Sequence, residues 1–94
     1  MSLKAKHIII SGQVQGVFFR KNTRQKATEL NVDGWVKNTY DDKVEIFAQG
    51  KEENLDKFID WCKQGPQKAT VEDIQVTEEQ ADKNLRSFSI VYED

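Results

Sequence analysis

Two stretches of this chain each carry a single apolar stripe at helical spacing, and both are framed by runs rich in β-branched residues. Phe19, Thr23, Ala27 and Leu30 recur three or four residues apart, and so do Leu55, Phe58, Ile59 and Cys62. A helix with one stripe must bury that face against another layer, so two such helices call for one face of a sheet. Residues 6–13 alternate as a strand, with Ile8 and Ile10 on one face and His7, Ile9 and Ser11 on the other. Asn31 and Gly34 punctuate the first helix, after which residues 35–38 and 44–48 bracket the turn Tyr40-Asp41-Asp42-Lys43 as a hairpin. Glu52 and Glu53 sit where a helix start favours negative charge, and Gly65-Pro66 stops the second helix. Residues 71–76 and 88–92 supply two further strand-like runs, separated by a polar loop over 78–86. The order β-α-β-β-α-β predicts an α+β two-layer sandwich, with an antiparallel sheet of strand order 4-1-3-2 and a short fifth strand. In that order the ends of strands 1 and 2 reach the same sheet edge, so residues 12–20 and Asn38 are expected to be neighbours.

The 94 residues are expected to form one domain, 1–94, and 37% hydrophobic against 32% charged residues reads as globular rather than disordered. A lone Cys62 cannot form an intramolecular disulfide, and no apolar run approaches a signal peptide or a membrane span. The expected location is therefore cytoplasmic, without a membrane partner, and the expected state is a monomer. The net charge of −2 hides an asymmetry. Lys4, Lys6, Arg20, Lys21, Arg24 and Lys26 lie in residues 1–28, which contain no acid. Positive charge that is local within an acidic chain points to a local anion rather than to nucleic acid.

Residues 12–20, Gly-Gln-Val-Gln-Gly-Val-Phe-Phe-Arg, join the first strand to the first helix and place two glycines four apart. Backbone can curl there without Cβ clashes, and successive N–H groups of such a loop form an anion nest. It lacks the Gly-Lys-Ser/Thr ending of a nucleotide P-loop and the glycine spacing of a dinucleotide fingerprint. Arg20, Lys21 and Arg24 occupy a helix start where a cation costs around 0.3–1 kcal/mol, a local conflict that a bound oxyanion reverses. Arg20 is the candidate ligand because its planar fork meets two phosphate oxygens at once. Lys21, Arg24 and Lys26 read as a solvated helix face. Asn38 suits either the positioning of a nucleophile or the start of a hairpin turn, with Thr39 as a helper. His7, on a strand away from any carboxylate cluster, reads as an ordinary strand residue. Cys62 reads as a small hydrophobe, and no spacing matches a metal site. A site of amides, one arginine and one amide side chain has nothing to protonate a leaving group. A carboxylic-phosphoric anhydride, whose carboxylate leaves unaided, is the phosphate compound it suits.

The segments GQVQGVFFR, VDGWVKNTYDDKVEIFAQG, GPQKATVEDIQV and FSIVY resemble acylphosphatases along nearly the whole chain. The shared pattern is Gly-x-Val-Gln-Gly-Val-x-Phe-Arg followed by Gly-Trp-Val-x-Asn. The resemblance implies a ferredoxin-like fold and hydrolysis of a small-molecule acyl phosphate to a carboxylate and inorganic phosphate, with no metal or cofactor. It implies Arg20 and Asn38 as the catalytic pair. The phosphate would be bound by the backbone of Gln15, Gly16, Val17, Phe18 and Phe19, with Thr39 assisting. One departure is Asp42, where the family's hairpin turn usually has glycine, which puts the shape of that turn in question. Two other classes are compatible with the element order. One is a binding module that keeps the cradle but turns over slowly. The other is an RNA-binding domain, which needs stacking aromatics in the third strand that KVEIFAQG does not supply.

Overall fold

A computed structural model describes residues 3–92. The chain runs β1 (Lys4–Gln13), α1 (Phe19–Glu29), β2 (Asp33–Asn38), β3 (Val44–Gly50), α2 (Glu52–Gln64), β4 (Thr70–Glu79) and β5 (Phe88–Ile90). The sheet order is β4-β1-β3-β2-β5. Helix α1 packs on β2 and β5, while α2 packs on β4, β3 and β1. This is the two-layer sandwich that the paired stripes demand.

The stripes are buried as their spacing predicts. Phe19, Thr23 and Ala27 of α1 and Leu55, Phe58 and Cys62 of α2 meet Ile8 and Ile10 of β1, Val36 of β2 and Val44, Ile46 and Ala48 of β3. Tilted ring contacts at 5.9 Å between centroids join α1 to α2, through Phe19 and Trp61, and α2 to the sheet, through Phe58 and Phe88. Helix α1 ends on Asn31 in the left-handed region (φ 57°). The N–H of Val32 reaches back to the carbonyl of Ala27 at 2.8 Å, the closing bond of a Schellman turn.

Two expectations need correction. Strand β5 pairs parallel to β2, at Gly34 with Phe88 and Val36 with Ile90, so the sheet is mixed rather than antiparallel. The segment after β4 crosses the end of the sheet to its far edge before re-entering, so β5 runs against β4 and therefore with β2. Strand β4 also extends to Glu79, past the 71–76 run, because β1 offers pairing partners as far as Ala5. Between β4 and β5 the loop is anchored. The buried Gln49 side chain donates to the carbonyl of Asp82 and accepts from its N–H, both at 2.8 Å.

Candidate active site

Register places the candidate residues at one edge. Ile10 near the end of β1 lies opposite Val44, which lies opposite Asn38 at the end of β2. The loop after β1 and the end of β2 therefore emerge together, as the strand order requires. A direct tie joins them. The Gln15 side-chain amide donates to the carbonyls of Thr39 at 2.9 Å and Lys43 at 2.8 Å, bridging from the loop to the β2–β3 hairpin.

The loop is shorter than the motif that marks it. Gly12 and Gln13 belong to β1, at a register shift against β4. A Cβ on Gly12, whose φ is 128°, would stand 2.1 Å from the carbonyl oxygen of Thr70. Gly12 is therefore required by strand packing rather than by a ligand. Val14 is fully buried. The open part of the loop runs from Gln15 to the helix, and here Gly16 (φ 74°) and Phe18 (φ 60°) are left-handed while Val17 is not. Alternation of hand along a short loop is the backbone pattern of an anion nest. For a non-glycine residue the left-handed conformation costs about 1–2 kcal/mol, so Phe18 holds strain of the kind that collects at functional sites.

Phe18 is also the N-cap of α1, and it offers no capping side chain. The first bond of the helix is Asn22 N–H to the Phe18 carbonyl at 3.0 Å. The first turn holds no acid, in contrast to Glu52 and Glu53 at the start of α2. Uncompensated positive dipole, free N–H groups and Arg20 thus coincide. Arg20 lines a cleft of about 350 Å³ with Gly16, Phe18, Phe19, Lys21, Ile90 and Tyr92. Its guanidinium carbon lies 4.9 Å from the Tyr92 ring centroid, a cation–π contact that the sequence reading missed. Phe19 is 2% exposed, with its ring packed against Trp61 in the core.

Asn38 lines a different groove, with Ile9, Lys37, Thr39, Tyr40, Asp41, Lys43, Glu45 and Gln75. The structure thus brings Arg20 and Asn38 to one edge without making them walls of one cavity. Among the described residues, Asn38 Oδ1 is the one buried side-chain polar atom without a hydrogen-bond partner. A buried acceptor left unpaired costs about 1–3 kcal/mol. The Thr39 hydroxyl is occupied within the turn. It bonds to the Asp41 carboxylate, lies 3.2 Å from the Lys43 carbonyl and accepts the Lys43 N–H at 3.0 Å. That hydroxyl is the chief cause holding the Asp41 carboxyl below its usual range. Asp42 adopts φ 69°, so the turn keeps the left-handed geometry that glycine would supply, which aspartate tolerates better than most residues.

His7 departs from expectation, since its Nε2 lies 2.6 Å from a Glu45 carboxylate oxygen across the sheet. A diagonal neighbour on the adjacent strand supplies the acid that linear sequence did not reveal. The pair sits on the sheet face away from the helices and does not line the Arg20 cleft. Cys62 is buried, and burial raises its thiol pKa far above the usual value, which excludes an activated nucleophile. Among the described residues no three His, Cys, Asp or Glu side chains converge as metal ligands, and no helix is long and apolar enough to cross a membrane.

The sheet order and one-sided helix layer place the chain in the ferredoxin-like class of α+β proteins. Comparison with known proteins is specific within that class. A family model described as acylphosphatase matches residues 6–90. An acylphosphatase from Syntrophus aciditrophicus is 40% identical over 92 residues, which is 98% of this chain and 96% of the relative. The crystal structure of an acylphosphatase from Bacillus subtilis superposes with a TM-score of 0.90 at 42% identity, covering 97% of this chain and 100% of that one. The structure of an acylphosphatase from Coxiella burnetii gives a TM-score of 0.90 at 35% identity, covering 95% of this chain and 93% of that one. The chain belongs to the acylphosphatase family.

Proposed function

We propose that this chain carries out the acyl phosphate hydrolysis of its family by attack of a positioned water on a phosphoryl group held at the start of α1. The N–H groups from Gly16 to Arg20 and the Arg20 guanidinium bind the phosphoryl oxygens and favour the charge that develops on them. Asn38 Oδ1 accepts a hydrogen bond from the water and sets its line of approach. Water oxygen bonds to phosphorus as the phosphorus–acyl oxygen bond breaks. The electron pair leaves on the carboxylate, and a phosphoryl oxygen takes the water proton. No protein acid or base is needed, since a carboxylate is a stable leaving group near neutral pH. Gln15 holds the hairpin against the loop, and Thr39 supports the turn that carries Asn38. The same reading includes turnover without metal or cofactor, by a monomeric single domain, 1–94, in the cytoplasm.

The observation that carries the proposal is the left-handed pair Gly16 and Phe18 ahead of an acid-free, uncapped helix start that bears Arg20. The left-handed Phe18, the uncompensated dipole and the cation each cost stability, and a bound anion would offset those costs by its contacts to the N–H groups and to Arg20. Hydrolysis of benzoyl phosphate, followed by its loss of absorbance in the presence of a chelator, tests this. Arg20→Gln is expected to lower kcat/KM by at least about 10²-fold, the typical effect of removing one oxyanion donor. Asn38→Ala is expected to lower kcat by a similar factor with little change in phosphate inhibition. Both variants should keep the native circular dichroism. Full activity in Arg20→Gln would remove the assignment.

A further inference from the structure

Two aromatic side chains wall the Arg20 cleft, and the proposed hydrolysis uses neither ring. Phe18 is 68% exposed and Tyr92 is 71% exposed, and both line the cleft beside Gly16 and Ile90. Large apolar rings are usually withdrawn from water, and Phe18 is presented in a left-handed conformation that glycine or asparagine would adopt with less strain. Tyr92 is held in place rather than trailing. The Arg20 guanidinium lies on its face at 4.9 Å, and the preceding Val91 N–H bonds to the Val36 carbonyl at 2.8 Å. Ile90 packs against the core and floors the cleft between them.

We propose that Phe18 and Tyr92 form a slot for the acyl group, which makes this chain selective for acyl phosphates whose acyl part is aromatic or bulky and apolar. The inference rests on the phosphate site proposed above. A phosphoryl group held by the loop amides and Arg20 has its acyl substituent in the same cleft, and the surfaces available to it there are these two rings and Ile90. Ring against ring in offset or edge-on contact is favourable beyond the area it removes from water. The Tyr92 wall is held before substrate arrives, by the Arg20 contact and the Val91 hydrogen bond, which reduces the ordering that opposes binding. The slot acts on whichever acyl group accompanies the phosphate and leaves the bond-breaking step unaltered.

The test is the ratio of kcat/KM for benzoyl phosphate to that for acetyl phosphate, measured in the wild type, Phe18→Gly and Tyr92→Ala. Comparing ratios between proteins cancels the difference in intrinsic reactivity of the two anhydrides. Glycine suits the backbone at position 18, and thermal unfolding of each variant reports its integrity. The ratio is expected to fall about tenfold in each variant, within the range for loss of an apolar pocket contact. Tyr92→Phe, which keeps the ring, is expected to restore it. An unchanged ratio in both truncations, with both substrates still hydrolysed, overturns the slot and leaves the phosphate site intact. Failure of the wild type to hydrolyse either substrate overturns the phosphate site and the slot together.

Discussion

At Asn38 the role proposed for a residue and its contribution to stability are expected to separate. Its Oδ1 is buried and unpartnered, so truncation removes an unsatisfied acceptor along with a few packed atoms. Asn38→Ala is therefore expected to unfold in urea at the same midpoint or a higher one, by up to about 1 kcal/mol, while losing activity. A clear loss of stability would mean that the amide is needed for the turn, the alternative that its sequence position left open. Arg20 was legible in the sequence because a cation at a helix start conflicts with the dipole. What holds its guanidinium was not, since Tyr92 lies 72 positions away and reaches it only through the parallel pairing of β5 with β2. His7 was misread for the same reason. Its acid partner, Glu45, is a neighbour only once β1 and β3 are in register. Phe18 carries no signal in one dimension, because left-handed backbone is a property of the loop it closes.

At the scale of elements, the site depends on one loop and one hairpin being held together, and Gln15 is the residue that spans them. Its two amide hydrogens go to carbonyls on either side of the turn, so Gln15→Ala removes a donor from each, although the Lys43 carbonyl keeps the Thr39 N–H at 2.9 Å. The variant is expected to lose about 1–2 kcal/mol in denaturant unfolding and to show a lower kcat, because Asn38 lies immediately before Thr39. Unchanged stability and kcat together would show that the hairpin is held by β2–β3 pairing alone. The helices themselves were readable, since an apolar stripe fixes which face is buried whatever the partner. Strand ends were less so. Residues 78 and 79 are polar and exposed, and they join β4 only because β1 presents hydrogen-bonding groups beside them. Gly34 is a similar case. It reads as a helix stop, yet a Cβ there would stand 1.8 Å from the Phe47 carbonyl oxygen, so the close approach of β2 to β3 is what requires it.

For the whole molecule, the question is whether the two layers open separately or together. Cys62 lies in the interface between α2 and the sheet, at 0% exposure, and shares one core cluster with residues of α1, β1, β2, β3 and β5. If α2 could lift away locally, the thiol would meet solvent without global unfolding. The continuity of the cluster argues against this, because the rings of Phe19 and Phe58 each contact an aromatic on another element. A domain of this size typically has a stability of several kcal/mol, and a group exposed only by global unfolding is protected to the same extent. Reaction of Cys62 with an aromatic disulfide reagent is therefore expected to run at least about 10³-fold slower in the native protein than in urea. Its opening free energy should match that from the urea transition. Burial also raises the thiol pKa, so the native rate should respond to pH only through the fully exposed form. An opening energy well below the global value would mean that α2 undocks alone. The start of α1, where the phosphate is proposed to bind, would feel that motion through the ring contact of Phe19 with Trp61 of α2.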